Sequence, residues 1–345
     1  MLPLFFSLSL LAQVDIAPLG ETASEAHQTD DPAVWVHPRD QSRSLILGTI
    51  KMAAPEGAVA VYRMDGTRLM AVGNLDRPNN IDVAYGFRVG GRTVDIAVVT
   101  ERNKGQLRFF AVVPDVGLRE MGAAPVFVGE AGARAQPMGI ALYRRKRDGV
   151  LFAIVSRKSG PSGSYLWQYR LTGQYRLSGE AGGRIRAEKV REFGRFSGMG
   201  EIEAVAVDAE REHVYYADEG AGIRKYAADP AQAAAGEELA VFAQRGWKGD
   251  REGIAVYQNY IVATDQLRGN SEFHVFSRGT LRELGIFRVG ADSTDGIEIA
   301  PFGVLVAMNN SRQNFILVDW KAVIAGLDRE SGPGGLPLGQ DRGTK

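Results

Sequence analysis

The chain has 345 residues with 41 Lys+Arg and 41 Asp+Glu, so its formal net charge is zero and no global field favours nucleic acid or an anionic membrane. It has no cysteine, which excludes disulfides, thiolate nucleophiles and zinc–sulfur sites, and its 4 histidines (His27, His37, His213, His274) include no i, i+4 pair of the kind a zincin needs. With 45% hydrophobic residues and 42 glycines, the composition suits many short strands and tight turns in one long domain.

In chain order, Leu2–Ala12 is an apolar stretch of signal-peptide length, too short to span a bilayer. It lacks a basic n-region, and Ser9-Leu10-Leu11-Ala12 is a poor small-x-small cleavage site. Residues 1–12 are nonetheless expected to be an export signal, with the product secreted or periplasmic. Val14–Leu19 is an apolar segment without an obvious partner.

A three-part pattern then recurs: a run opening on acids or amides, a second β-rich run, and a third ending near an aromatic. Its copies open at Asp30-Asp31-Pro32, Asn79-Asn80-Ile81, Pro137-Met138-Gly139, Glu201-Ile202-Glu203, Asp250-Arg251-Glu252 and Ser293-Thr294-Asp295. The third runs are Ala58–Tyr62, Gln106–Val112, Ser164–Tyr169, Ile223–Tyr226, Phe273–Phe276 and Asn314–Trp320. A period of roughly 45–60 residues is that of propeller blades. A fourth apolar run follows the first five copies, at Arg68–Val72, Pro125–Val128, Ile185–Phe193, Leu239–Phe242 and Leu284–Val289. The sixth copy is followed instead by Lys321–Leu327, which reads as a short helix. Val14–Leu19 can supply the missing strand and remove the exposed edge. The expected fold is therefore an all-β, six-bladed β-propeller over residues 13–328, closed by the N-terminal strand and followed by a flexible tail, 329–345. An open β-sandwich or solenoid would leave the N-terminal segment unused.

Two strands joined by a short turn are antiparallel, so the start of each first strand and the end of each second lie at one end of the sheet. Glu201 and Glu203 thus face Asp218 and Glu219, and such a group repels itself unless a cation sits within it. Collected over all copies, the same end carries Asp30, Asp31, Asp82, Asp250, Glu252 and Asp295. It also carries the bases Lys51, Arg102, Arg157 and Lys158. Oxygen-only ligands without His or Cys suit a hard cation, Ca²⁺ more than Mg²⁺. Lys and Arg beside them suit anionic oxygens, Arg by a bidentate fork. Together, metal cations and phosphate binders would make a site for metal-assisted hydrolysis of a small phosphate ester. Any one of these residues alone would be an ordinary turn former or solvated charge. Other motifs fail: Gly160-Pro161-Ser162-Gly163-Ser164 lacks the last glycine of a nucleophile elbow, and no P-loop run occurs. A calcium-stabilised binding propeller and a lactonase-like calcium esterase remain alternatives, and the chain is expected to be monomeric.

Along these residues the chain resembles the β-propeller phytases, calcium-dependent phosphatases acting on inositol hexakisphosphate. Thr29-Asp30-Asp31-Pro32-Ala33-Val34-Trp35 and Asn79-Asn80-Ile81-Asp82-Val83 are similar to two of that family's motifs. Ile202-Glu203, Ala217-Asp218-Glu219, Arg251-Glu252-Gly253, Thr294-Asp295-Gly296 and Gln313-Asn314-Phe315 are similar to its later landmarks. The resemblance implies several Ca²⁺ ions over the channel mouth, a cleavage-site phosphate and an adjacent affinity-site phosphate. Asp30, Asp31, Glu203, Glu219 and Glu252 would hold Ca²⁺ and the attacking water, and Lys51, Arg102 and Lys158 the phosphates. Asp31, Glu203, Lys51 and Arg102 would be catalytic. The chain departs from the family pattern at Ala84, at Met138 (where a phosphate-contacting Tyr is usual) and in a shortened loop before Asp295.

Overall fold

The computed structural model describes residues 11–174 and 184–331. Most of the proposed export signal, residues 1–10, and the tail from 332 lie outside the described residues. Two short N-terminal strands come first, β1 (Ala12–Asp15) and β2 (Gly20–Glu21). Sheet-forming runs follow in the expected order. The first is β3 (Thr29–Trp35), β4 (Leu45–Ile50), β5 (Gly57–Arg63) and β6 (Arg68–Leu75). Next come β7 (Pro78–Val89), β8 (Arg92–Glu101), β9 (Gln106–Val113) and β10 (Gly117–Pro125). The third run is β11 (Pro137–Arg144), β12 (Leu151–Arg157), β13 (Leu166–Gln174) and β14 (Arg184–Phe193).

The fourth is β15 (Val205–Asp208), β16 (His213–Asp218), β17 (Gly222–Ala227) and β18 (Ala240–Phe242). The fifth is β19 (Asp250–Tyr257), β20 (Tyr260–Gln266), β21 (Glu272–Ser277) and β22 (Glu283–Arg288). The last is β23 (Ile297–Ile299), β24 (Val304–Asn309) and β25 (Asn314–Asp319), which runs into α1 (Trp320–Glu330). The chain is all-β apart from this helix, and its sheets adopt a propeller-like arrangement of antiparallel meanders. The second and third runs join into one sheet through a single parallel pairing, Gly173 with Val89.

Second strands are buried on both faces: every residue of β4 and β12 is inside, which is why Leu-Ile-Leu and Leu-Phe-Ala-Ile-Val read as unbroken apolar runs. The cores lie between neighbouring sheets. Ala33, Trp35 and Leu47 pack with Ile81, Val99 and Phe110 in one; Tyr215, Ile223 and Phe242 pack with Ile254, Ile261 and Phe276 in another. At the seam between the first and last runs the ring of Phe315 fills the space where a Cβ on Gly48 would stand, 2.2 Å from its nearest atom. Gly48 is therefore a close-approach glycine in a strand, not a turn residue.

The N-terminal segment behaves differently from the expectation that Val14–Leu19 closes the last sheet. The strand pairing antiparallel with β25 is Gly20–Glu21, extended by Leu19 N–H and Thr22 N–H to the Leu317 and Phe315 carbonyls at 2.8 Å each. Val14 lies in β1, which pairs in parallel with β22 on the preceding sheet. The apolar residues go there because Val14 and Ile16 pack on Gly326 of α1, whereas the closing strand is edge-exposed and tolerates Gly-Glu. The fourth run of the second copy also shifts, from the expected Pro125–Val128 to Gly117–Pro125. Phe127 has φ 50° and is buried in the turn beyond, so its hydrophobicity marked core and not strand. The helix continues to Glu330, past the expected start of the tail.

Candidate active site

Bulges build the site. The ladders between first and second strands slip at Thr29/Pro32, Pro78/Ile81, Pro137/Ile140 and Arg251/Ile254. A bulge re-aims the residues within it, and those residues include Asp30 and Asp31, Asn79 and Asn80, Met138 and Gly139, and Glu252. Gly139 is needed there because a Cβ would stand 1.7 Å from the Glu203 carbonyl oxygen.

Lys51, just past β4, spans the mouth. Its Nζ donates to Asp30 Oδ1 at 2.8 Å and to Glu203 Oε1 at 2.9 Å. Asn79 Nδ2 donates to the same Glu203 oxygen, and Arg102 Nη2 donates to Asn79 Oδ1. Burial depresses the Lys51 ammonium, but Asp30, Glu203 and Asp295 overcome that and hold it well above its usual range. Burial also raises Glu203, yet Lys51, Arg102 and Asn79 bring its carboxyl below the ordinary value. The neighbouring acids go the other way. Asp30, Glu252 and Asp295 are all raised, first by burial, with the charge of Glu203 adding to the rise in each case. Glu219, on the rim of the fourth run, is pushed up to about 7 by burial, with Asp250, Glu201 and Glu203 adding repulsion. Its Oε2 accepts the Glu201 N–H at 2.8 Å.

Below the mouth a cavity of about 180 Å³ continues between the first strands, lined among others by Asp31, Asp82, Glu252 and Glu298. Burial pushes Asp82 up to about 6 and Glu298 to about 8, and raises Asp31 well above its usual range. Asp31 Oδ2 accepts the Ile81 N–H at 2.9 Å, and Asp82 Oδ2 accepts the Leu142 N–H at 2.6 Å. Asp31 and Asp82 therefore face the channel instead of the rim.

Thus the structure brings together Asp30, Lys51, Arg102, Glu203, Glu252 and Asp295, with Glu219 and the exposed Asp250 beside them. Lys158 reaches the edge, where its Nζ pairs with Glu201. Two expected site residues are elsewhere. The Asp218 carboxylate is fully buried and accepts from Ser197 N (2.8 Å), Ser197 Oγ (2.6 Å) and Arg224 Nε (2.9 Å), so its charge is already engaged away from the mouth. Arg157 is 1% exposed, pairs with Glu130 at 3.0 Å, and its guanidinium carbon lies 5.3 Å from the Phe127 and Trp167 ring centres. It is a packed core arginine without access to substrate. Period-2 reasoning placed both at the right sheet end but could not tell that Asp218 is engaged by Arg224 and Ser197 and Arg157 by Glu130 and two aromatic rings.

Two participants were given no role by sequence, although Asn79 stood in a quoted motif. Asn79 joins Arg102 to Glu203, for which its position in a bulged acid–amide motif was the available signal. Glu298 stands in an Ile-Glu-Ile strand, where alternation alone points the acid channelward.

A separate group, Asp265, Glu272 and His274, lies in the fifth sheet. Glu272 is paired with Lys248 at 2.7 Å, Arg288 lies 3.7 Å away, and His274 sits between Asp265 and Glu283. Its charges are already matched, as in a structural ion network.

A family model described as Phytase matches residues 7–331. The chain belongs to the phytase family. As a phytase-family chain it is a phosphoric monoester hydrolase. It is 26% identical to a 3-phytase of Bacillus subtilis (strain 168), with 92% of this chain and 85% of the relative covered. In fold it is similar to a Bacteroides fragilis crystal structure provisionally described as a 6-phosphogluconolactonase. The TM-score is 0.51 at 12% identity, covering 83% of this chain and 79% of the other, so that likeness concerns architecture alone.

The residues at the mouth fit the calcium that this family implies. Asp30 Oδ2 and Glu252 Oε2 are buried with no hydrogen-bond partner, and the donor set is all oxygen. Carboxylates there outnumber the cations Lys51 and Arg102, so a divalent ion would relieve both the repulsion and the orphaned atoms. Of the departures from the family pattern, Met138 is fully buried, with its carbonyl accepting from Thr100 Oγ1 at 2.6 Å, and so lines no part of the mouth. Ala84 is likewise buried, 6% exposed, in β7.

Proposed function

We propose that this phytase-family chain is a calcium-dependent phosphomonoesterase acting on phytate or its calcium salt. The observation that carries the reading is the Asp30–Lys51–Glu203–Asn79–Arg102 chain of contacts. It joins an anionic pocket to two cations at one channel mouth. Asp30, Glu203, Glu219, Glu252 and Asp295 would hold the ions at the mouth, with Asp250 at its rim and Asp31 and Asp82 within the channel. When bound, calcium supplies charge neutralisation and a more acidic water.

The protein's own residues do the rest. Lys51 and Arg102 orient the ester and balance charge on its non-bridging oxygens. Lys158 extends the cationic side towards the rim. Asn79 keeps the Arg102 fork aimed at the mouth by accepting from Nη2, and its amide holds Glu203 in place. Buried Glu203, kept ionised by Lys51 and Arg102, is the group suited to accept a proton from the attacking water.

In the same reading the sheets form a ring of six blades. Division of the joined sheet at its single Gly173–Val89 pairing supports this, as does contact between first strands in the order β3, β7, β11, β15, β19, β23 and back to β3. Gly20–Glu21 would complete the last blade. Leu2–Ala12 would direct export, checked by N-terminal sequencing of the exported product, and the working form would be a monomer, checked by light scattering. No helix of the described residues is long and apolar enough to cross a membrane.

The test is phosphate release from phytate with Ca²⁺ and with chelator. Release that needs Ca²⁺ supports the reading. Calcium uptake without release would leave a binding module, and ester cleavage restricted to lactones would leave an esterase.

A further inference from the structure

Arg251 stands between Asp250 and Glu252 in β19, yet it bonds to neither. It is 7% exposed. Its Nη1 donates to the Glu219 carbonyl at 2.6 Å, and its Nε to the Ala243 carbonyl at 3.0 Å. Its guanidinium carbon lies 4.7 Å from the centre of the Trp247 ring, which stacks on His274 at 4.2 Å and 16° between planes. The charges of Asp265, Asp218, Asp250 and Glu219 surround it, but its two hydrogen bonds go to carbonyls. Ala243 is itself in the left-handed region, φ 54°.

This geometry ties two sheets together at the acidic rim. Glu219 lies in the turn after β16, which Ala221 N–H closes onto the Asp218 carbonyl at 2.9 Å. Glu219 is also tied to Glu201, just before β15, N–H to O at 3.2 Å and carboxylate to N–H at 2.8 Å. From the next sheet Arg251 grips the Glu219 backbone, while its planar fork is fixed by Ala243 on one side and Trp247 on its face. The neighbouring Glu252 belongs to the mouth. A single arginine therefore fixes the distance between acids contributed by two separate sheets.

We propose that Arg251 is a positioning residue that holds the Glu219 turn in register with Glu252 and so sets the calcium affinity of the mouth, without touching substrate. This rests on the calcium-dependent reading given above. A cation site assembled from two sheets binds strongly only if its ligands are held at the right separation beforehand. A lysine at this position would keep the charge but could not reach both carbonyls as a rigid fork.

The experiment measures calcium binding by titration calorimetry on the full chain, parent against Arg251→Lys and Arg251→Met, with melting temperature as the folding control. Phosphate release is then followed over a range of calcium concentrations. Both variants are expected to raise the calcium Kd, and the calcium needed for half-maximal release, by about tenfold or more. At saturating calcium, kcat and the KM for the ester should return to within about twofold of the parent. A loss that extra calcium does not rescue would overturn the proposal, since general damage or a substrate contact would lower kcat at every calcium level. An unchanged calcium Kd in Arg251→Lys would overturn it too, because the carbonyl bonds would then be idle. Tighter calcium binding in Arg251→Met would show a merely repelling charge. If the parent binds calcium but releases no phosphate, the enzymatic reading fails while the calorimetry still decides the role of Arg251.

Discussion

At the scale of the residue, the site is a contest between burial and pairing. Glu203 and Asp30 share Lys51, but Glu203 also draws on the Arg102 charge and the Asn79 amide, which bring it below its ordinary value while Asp30 is raised. Charge-assisted contacts contribute about 1.5–3 kcal/mol each, which at about 1.36 kcal/mol per tenfold corresponds to a loss of about 10- to 150-fold. Lys51→Ala and Arg102→Ala are therefore expected to lower kcat/KM for phytate by that range. Arg102→Lys should recover only part, because a point charge replaces a fork. Steady-state kinetics at saturating calcium checks this, and near-parental rates in both alanine variants would make these side chains bystanders. Arg157→Met should behave in the opposite way. It removes the partner of half-exposed Glu130 and two ring contacts, so the melting temperature should fall, by a loss of about 2 kcal/mol, with kcat/KM per folded molecule nearly intact.

At the scale of the element, the first strands β3, β7, β11 and β19 are bulged against their partners, while the second strands β4 and β12 are buried along their whole length. The sequence showed the second kind plainly, since β4 and β12 are continuous apolar runs. It showed the bulges only as acid–amide motifs, since a register slip has no hydrophobic signature of its own. The N-terminal segment divides its work between two sheets, with β1 on β22 and β2 on β25. Two truncations separate those roles. A chain starting at Ile16 should lose stability through the uncovered α1 and β22, yet stay soluble. A chain starting at Thr22 also exposes the edge of β25 and should aggregate or melt earlier still. Thermal unfolding and light scattering of the two make the comparison; equal behaviour would mean β2 does not protect the edge.

At the scale of the whole molecule, the channel concentrates acids that the folded state forces to hold protons. Asp82, Glu219 and Glu298 are raised to about 6, 7 and 8 from ordinary values of 3.8, 4.5 and 4.5, in each case first by burial. The folded protein thus binds more protons than the unfolded chain between roughly pH 4 and 8. Stability from these groups is present at the low end of that window and is lost as pH rises through 6 to 8. In chelator the melting temperature should therefore be higher near pH 5.5 than near pH 8. Calcium should raise it most at pH 8, where the carboxylates are ionised and repel. Differential scanning calorimetry with EDTA and with Ca²⁺ at both pH values tests this; a melting temperature indifferent to calcium at pH 8 would remove the support for a calcium-held mouth.

The sequence by itself determined the repeat, the strand order, the helix after the last strand and the sheet end at which charge collects. These follow from local periodicity and from the rule that hairpin-linked strands are antiparallel. It also carried the family motifs, because Asp30-Asp31-Pro32 and Asn79-Asn80-Ile81 are contiguous in the chain. What only the tertiary structure decided is which side chain at that end turns inward. Asp218 and Asp30 look alike in sequence, but one meets Arg224 and Ser197 from its own surroundings while the other meets Lys51 and the distant Glu203. Arg157 ends a second strand and Arg102 directly follows one, yet aromatic rings claim the first and Asn79 the second. Such choices depend on partners contributed by other sheets, up to 152 positions away for Lys51 and Glu203, and no local pattern encodes them.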